Sequence, residues 1–317
     1  MAGEDWEGAL LQSLELGFRD LSHEVWVADL APGSIRLANR RSLTARLRRK
    51  LQARRIGPAL VEAVEQLHPD VTLVVKGRGI DSEAILRSRV STRVAIYYPD
   101  NPFWGFADTA DALPRLAAAD LAVVWSARIR DLLNPTCRRV ALIPFGYDER
   151  WFPVTDPAGP RQGVAFVGTW HARRERYLRA LHGLPVTIAG LGWERAKGLK
   201  AAPPIYGASA GLVLQRALVG VNVLHPHNAG AHNMRTREIA ASGALQLTEP
   251  GTDGTPLRDG DGCRWFQSPD QLRQLVEHYL ARPAEAHHIA KRAQELVGHE
   301  TYRRRAEELT DLFGRFL

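Results

Sequence analysis

Val219-Gly220-Val221-Asn222-Val223-Leu224-His225-Pro226-His227-Asn228-Ala229-Gly230-Ala231-His232-Asn233-Met234-Arg235-Thr236-Arg237-Glu238-Ile239-Ala240-Ala241-Ser242-Gly243 passes from strand to loop to helix. The apolar run ending at Leu224 is short and continuous rather than alternating, the pattern of a strand buried on both faces. A loop rich in Gly and Asn follows. A short helix then starts near Asn233 and stops at Gly243, a residue type suited to a left-handed C-terminal cap. The stretch is a βα unit of a parallel sheet.

The same unit recurs on both sides. Downstream and upstream of it lie the strand patterns Val164–Val167, Val186–Ala189 and Ala244–Leu247, with helices between them. The first half repeats the theme with Glu24–Ala28, Val71–Val75, Arg93–Tyr98, Leu121–Trp125 and Val140–Ile143, after a helical pattern at Trp6–Leu21 and a long one reaching about His68. Three prolines and a glycine between Pro153 and Pro160 break regular structure and suit a linker. The expected fold class is α/β, with two facing Rossmann-like domains: 1–152 on the acceptor side, a linker at 153–162, and 163–317 on the donor side. Helices at Gln271–Leu280, Ala284–Leu296 and Tyr302–Phe316 close the chain. A Rossmann-like domain normally opens with a buried strand, yet this chain opens on a helical pattern. Either that strand is missing or the first sheet is rearranged.

Bulk properties narrow the function. The 317 residues, 45% apolar and 24% charged, suit two ordinary globular domains. No apolar run nears the roughly 20 residues that cross a bilayer, and the start has no signal-peptide character, so a cytoplasmic location is expected. Cys137 and Cys263 stand alone, which suggests reduced thiols rather than a disulfide or zinc framework. The net charge of +7 is local: Arg36 to Arg55 holds eight Arg and one Lys without an acid, and removing those nine leaves −2. Leu43, Leu47 and Leu51 form one apolar stripe there, as in peripheral membrane helices and equally in helices packed on a core. Nucleic-acid binding is not expected, since no aromatic stacking platform accompanies the basic stretch.

Two turns carry the candidate site. Gly168 ends a strand just before a helix begins, where helix amides can meet an anion in an α/β crevice. In the quoted stretch, Arg235 or Arg237 would add a charge-assisted contact to a diphosphate, and Glu238 would accept from a ribose diol. The plainer alternatives are a glycine needed only for the turn and an Arg235–Glu238 salt bridge on an exposed helix. His225, His227 and His232 lack an accompanying acidic or Cys ligand at a recognised spacing, so no metal site is expected. In the first half, Lys76-Gly77-Arg78-Gly79 and Asp100-Asn101-Pro102 each follow a strand. Asp100 would orient or deprotonate an acceptor hydroxyl, with Gly77, Arg78 and Asn101 beside it, while turn formation is the alternative for these residues.

Phe166–Thr169, Tyr206-Gly207, Asn233–Ala244, His299–Ala306 and the junction Ile143–Phe152 together resemble the glycosyltransferase-like family of the spore protein CgeB, within the retaining GT-B group. The resemblance implies a nucleoside-diphosphate sugar as co-substrate, with no separate cofactor. Gly168 and Thr169 would face its diphosphate, Tyr206 and Gly207 would flank the base, and Glu238 would hold the ribose. Arg173, Asn233 and Arg235 join them on the donor side. The acceptor, whether glycan, protein or small molecule, is unidentified, and retention of anomeric configuration is likewise implied only by the resemblance. Arginines and helix amides stabilise a leaving diphosphate without a metal in principle. Many relatives in that group carry a second glutamate eight positions before the first named here, where this chain has Gly230. The alternative is therefore a non-catalytic GT-B scaffold that binds a glycan, nucleotide or partner.

Overall fold

The computed structural model describes residues 1–30, 43–104, 111–154, 159–228, 230–251 and 254–315, and the side chains of 43–54 lie outside that set. The expected lipid contact through 36–55 and the centre of the linker, 155–158, thus fall outside the described residues. Among the described residues no helix is long and apolar enough to cross a membrane.

The chain forms two compact units, Met1–Pro144 with Arg303–Leu317, and Phe145–Tyr302. The first unit runs β1 (Ala2–Gly3), α1 (Leu10–Asp20), β2 (Ala28–Asp29), α2 (Leu43–Leu67), β3 (Val71–Val75), α3 (Ser82–Ser88), β4 (Arg93–Tyr97), α4 (Ala112–Ala118), β5 (Leu121–Val124), α5 (Ala127–Leu133) and β6 (Val140–Leu142). Its sheet is parallel in the order β2-β1-β3-β4-β5-β6. Leu73, Val74, Ile96 and Val123 are buried, as the unbroken apolar runs require.

The strand expected to be missing is present as β1, between β2 and β3. Two residues carry no periodicity, which hid it. A Cβ on Gly3 would lie 3.0 Å from the Val75 carbonyl oxygen and 3.1 Å from Leu11 Cδ1, so glycine lets β1 sit close under α1. Because β1 offers only two residues to pair with, the strand expected at 24–28 shrinks to β2.

The second unit runs β7 (Val164–Val167), α6 (Ala172–Arg179), β8 (Val186–Ala189), α7 (Gly207–Arg216), β9 (Val219–Asn222), α8 (Met234–Ala241), β10 (Leu245–Thr248), β11 (Arg258–Asp259), β12 (Gly262–Trp265), α9 (Pro269–Ala281) and α10 (Pro283–Val297). Its parallel sheet has the order β11-β12-β10-β9-β7-β8. Alternate residues serve two cores: Val164, Phe166, Val219 and Val221 face one, while Ala165 and Val167 face the other with Ile239 and Ala240. The short, polar β11 and β12 were not legible as strands.

The last helix, α11 (Tyr302–Gly314), places its Phe313 ring 6.3 Å from Phe18 and its Thr310 hydroxyl 3.0 Å from His23 Nε2, so most of it belongs to the first unit. At the junction, Tyr147 donates its N–H to the Glu300 carbonyl at 3.0 Å and accepts from the Tyr302 N–H at 3.0 Å. Both contacts lie inside the second unit, which begins at Phe145 and ends at Tyr302.

Backbone approaches set the packing of the second unit. A Cβ on Gly211 of α7 would lie 1.8 Å from the Trp151 carbonyl oxygen, and one on Gly220 of β9 would lie 2.5 Å from Ile239 Cγ2 of α8. The first clash is with backbone and has no rotamer to relieve it. Gly211→Ala is therefore expected to lower stability by about 1–3 kcal/mol in urea denaturation. Gly314→Ala, whose Cβ meets open space, should leave stability equal or higher.

Candidate functional site

In the second sheet the chain leaves β7 for β8 on one side and later returns to β9 on the other. The carboxyl ends of β7 and β9 therefore flank the topological switch point, the crevice where α/β sheets receive ligands. Residues 168–170 extend the pairing past β7, with Gly168 N–H donating to Ala189 O at 2.9 Å and Trp170 N–H to Leu191 O at 2.7 Å. Gly168 O also accepts from Trp193 Nε1 at 2.8 Å. Gly190 comes so near that a Cβ there would sit 1.9 Å from Gly168 O, and its φ of +154° admits no other residue without strain. Thr169 is exposed, and His171 caps α6 by accepting the Arg173 N–H at its Nδ1, 3.2 Å away.

Two arginines of α6 reach from β7 to β9. Arg173 donates to Leu224 O at 3.0 Å and forms a two-pronged ion pair with Glu249, which also accepts the Leu224 N–H at 2.9 Å. That carboxylate raises the Arg173 pKa and satisfies its charge. Arg174 donates to Val223 O at 3.0 Å and to Thr169 O at 2.8 Å, both neutral acceptors. Burial first, then the nearby Arg235, pull its pKa down to about 10. The site thus holds the guanidiniums of Arg173, Arg174 and Arg235 against the carboxylates of Glu249 and Glu238, and Glu249, ion-paired to Arg173, also supports Arg174 through its charge. Nothing in the sequence separates Arg174 from its neighbours; Arg173, the residue expected there, has its charge committed to Glu249.

Helix α8 supplies the other wall. Asn233 stands at its N-cap and accepts from Asn222 Nδ2 at 3.2 Å, while the same amide donates to Thr236 Oγ1 at 3.0 Å. Arg235 and Glu238 meet at 2.6 Å, as the plainer alternative required, but Glu238 is buried rather than on a solvated face. Burial pushes the Glu238 carboxyl up, Arg235 opposes this, and the negative Asp148 adds to it. Asp148, itself ion-paired to Arg150, was not foreseen beside Glu238. Gly243 takes the left-handed φ of +74° expected of the cap. Gly230 is exposed with φ +86° and open space around it. Tyr206, half exposed, precedes α7, and Gly207 has φ +48°. Arg237 is buried and paired with Glu300 at 3.0 Å, which fixes α8 to the chain before α11.

His171, His225 and His227 line the same crevice, with ring centroids 4.4 Å apart for the first pair and 4.5 Å for the second. Among the described residues no group of three His, Cys, Asp or Glu is arranged to hold a metal ion. Burial, then His227 and Arg174, pull the His225 pKa down to about 3, and His171 is lowered by burial and by Arg174 and Arg173.

The residues expected on the acceptor side lie in the first unit at the ends of β3 and β4. Lys76 has φ +64°, Gly77 +69° and Gly79 +83°, and a Cβ on Gly77 would meet Val74 Cγ1 at 2.6 Å, so both glycines serve the turn. Beneath it, buried Arg115 donates to Ile80 O at 3.0 Å. Asp100 is ion-paired with Lys76 at 2.5 Å, Arg78 lies 3.6 Å from Glu4, and Asn101 accepts the Phe103 N–H at 2.9 Å.

A family model described as glycosyl transferase-like matches residues 173–311. No curated protein matches the chain. Among solved structures, it is similar to Anabaena HepE in complex with UDP-glucose, at 11% identity and TM-score 0.66 over 98% of each chain. It is also similar to a sucrose-phosphate synthase from Thermosynechococcus elongatus, at 14% identity and TM-score 0.65, covering 96% of this chain and 92% of that one. The pneumococcal O-GlcNAc transferase GtfA in complex with UDP and GlcNAc matches at 12% identity and TM-score 0.57, over 81% of this chain. The chain spans 59% of that protein's length. At such identities the likeness is one of fold: two parallel-sheet Rossmann-like units with C-terminal helices have the GT-B architecture.

The neutral His225 has a measurable consequence. Its folded pKa lies below the unfolded value near 6.5, so its contribution to stability is complete above pH 6.5 and declines as pH falls toward about 3. Thermal melting should show a falling Tm across that window, and His225→Gln should flatten the slope. An unchanged slope in the variant would show that His225 is not held neutral.

Proposed function

We propose that this chain is a glycosyltransferase that moves a sugar from a nucleoside-diphosphate sugar to an acceptor hydroxyl, with retention and without a metal. The observation that carries this reading is Arg174, a cation at the switch point that donates to two neutral carbonyls. A diphosphate would complete its charge, because an anion in a partly buried site makes strong charge-assisted bonds. The matching family model over 173–311 and the UDP-bound structures of similar fold support the same reading.

In the reaction, the bond from the anomeric carbon to the diphosphate oxygen breaks and its electron pair leaves with the diphosphate. A bond forms from the acceptor oxygen to the same carbon on the same face, and the acceptor proton passes to the departing phosphate oxygen. Arg174, Arg235 and the α6 amides stabilise the charge that develops. Glu238 accepts from the ribose diol, Tyr206 and Gly207 flank the base, and Asp100 orients the acceptor. A cytoplasmic setting belongs to the same reading, and the unbridged cysteines 137 and 263 support it.

Gly230 favours one other reading, a GT-B scaffold that binds without transferring. Isothermal titration with UDP, GDP, ADP and dTDP tests the site they share. One of the four should bind, Arg174→Met should weaken it at least about tenfold, and Glu238→Ala should weaken it as well. Binding of none of them sinks the transferase reading and leaves the scaffold a glycan or a partner to bind. Slow hydrolysis of the matching nucleotide sugar without acceptor would decide for the enzyme, and NMR of the released sugar's anomer would report retention.

A further inference from the structure

The proposed reaction gives Glu249 no task, although its carboxylate stands in the crevice. Glu249 follows β10 directly and is buried. Both of its oxygens are used. Oε1 accepts from Arg173 Nη2, while Oε2 accepts from Arg173 Nη1 and, at 2.9 Å, from the Leu224 N–H. The carboxylate therefore joins helix α6 and the exit of β9 to the end of β10.

Arg173 is held from other sides as well. Its Nη1 also donates to Leu224 O at 3.0 Å, and its guanidinium carbon lies 5.3 Å from the centre of the Tyr177 ring, whose hydroxyl donates to Gln267 O at 3.2 Å. A guanidinium grips a carboxylate and a phosphate with the same pair of parallel bonds. On Arg173 that grip is taken by Glu249. Arg174, the next residue, differs. Its Nε and Nη1 meet backbone carbonyls, and its Nη2 has no hydrogen-bond partner among the described residues.

The structural part of this arrangement needs no charge at 249. An amide oxygen would serve the Leu224 N–H as well, and a buried ion pair adds little net stability because the loss of hydration offsets the attraction. What the charge adds is an internal anion on Arg173. We propose that Glu249 is a positioning residue of the donor site that acts through Arg173: its carboxylate stands in for a ligand anion on that guanidinium, so the diphosphate is met by Arg174 and is held less tightly than two arginines open to it would hold it.

This role rests on the glycosyltransferase reading and is tested apart from it. The full chain is titrated with UDP, and with GDP, ADP and dTDP if UDP does not bind. Glu249→Gln keeps an acceptor for the Leu224 N–H, removes the charge, and should tighten the Kd about fivefold or more, with the gain shrinking as added salt screens it. The double variant Arg173→Met/Glu249→Gln should lose that gain, because the guanidinium set free in the single variant is gone. A Glu249→Gln chain that binds no tighter than the wild type, or a gain that survives the loss of Arg173, overturns the role while leaving the function standing. A crystal structure of the unaltered chain with its diphosphate tests the role without a variant: Arg173 should stay on Glu249 with Arg174 on the phosphate, and Arg173 turned from Glu249 onto the phosphate overturns it. If the wild-type chain binds none of the diphosphates, the function fails and the role fails with it.

Discussion

The guanidiniums of Arg173 and Arg174 tie the carboxyl ends of β7 and β9 together, and the geometry of the site depends on that tie. Each arginine starts from α6 and ends on a carbonyl beyond β9, Leu224 for one and Val223 for the other. A hydrogen bond from a charged donor contributes about 1.5–3 kcal/mol net, and drawing a cation out of water costs several. Glu249 offsets that cost for Arg173. Arg174 is bonded to neutral carbonyls, the Glu249 charge supports it in part, and burial with Arg235 still leaves its pKa down at about 10. A partly compensated cation with a depressed pKa at the switch point of a sheet is a candidate to meet a ligand's charge.

Close backbone contact is what lets these side chains meet. Gly190 against Gly168 holds the exits of β7 and β8 together, and Gly220 lets α8 lie low over β9 so that Asn233 and Thr236 reach Asn222. Gly211 does the same for α7 against Trp151. A side chain at any of these three positions would lift one element off another, and the polar groups at the sheet edge would separate. Site precision here comes from glycines that never touch a ligand.

Much of this was legible because it is local. The apolar runs, the cap at Asn233 and the left-handed Gly243 are encoded by neighbours in sequence, and the structure has them where the pattern puts them. What was not legible is carried by short or distant partners. β1 and β2 are two residues each, too brief for any period. Arg173 and Glu249 are 76 positions apart, and nothing near either announces the other. The transfer of α11 to the first unit turns on Phe313 meeting Phe18 across nearly the whole chain. The Arg235–Glu238 pair was legible from its spacing, whereas the nearby charge of Asp148 depends on the chain doubling back at the Tyr147–Thr301 bridge.

The arrangement at the switch point also explains how arginines and histidines can share so small a space. Three protonated imidazoles beside three arginines would repel strongly in a partly buried site, since like charges raise the cost of each other's burial. Burial and the arginines hold the His225 and His171 pKa values down, which limits that repulsion and leaves both rings polar.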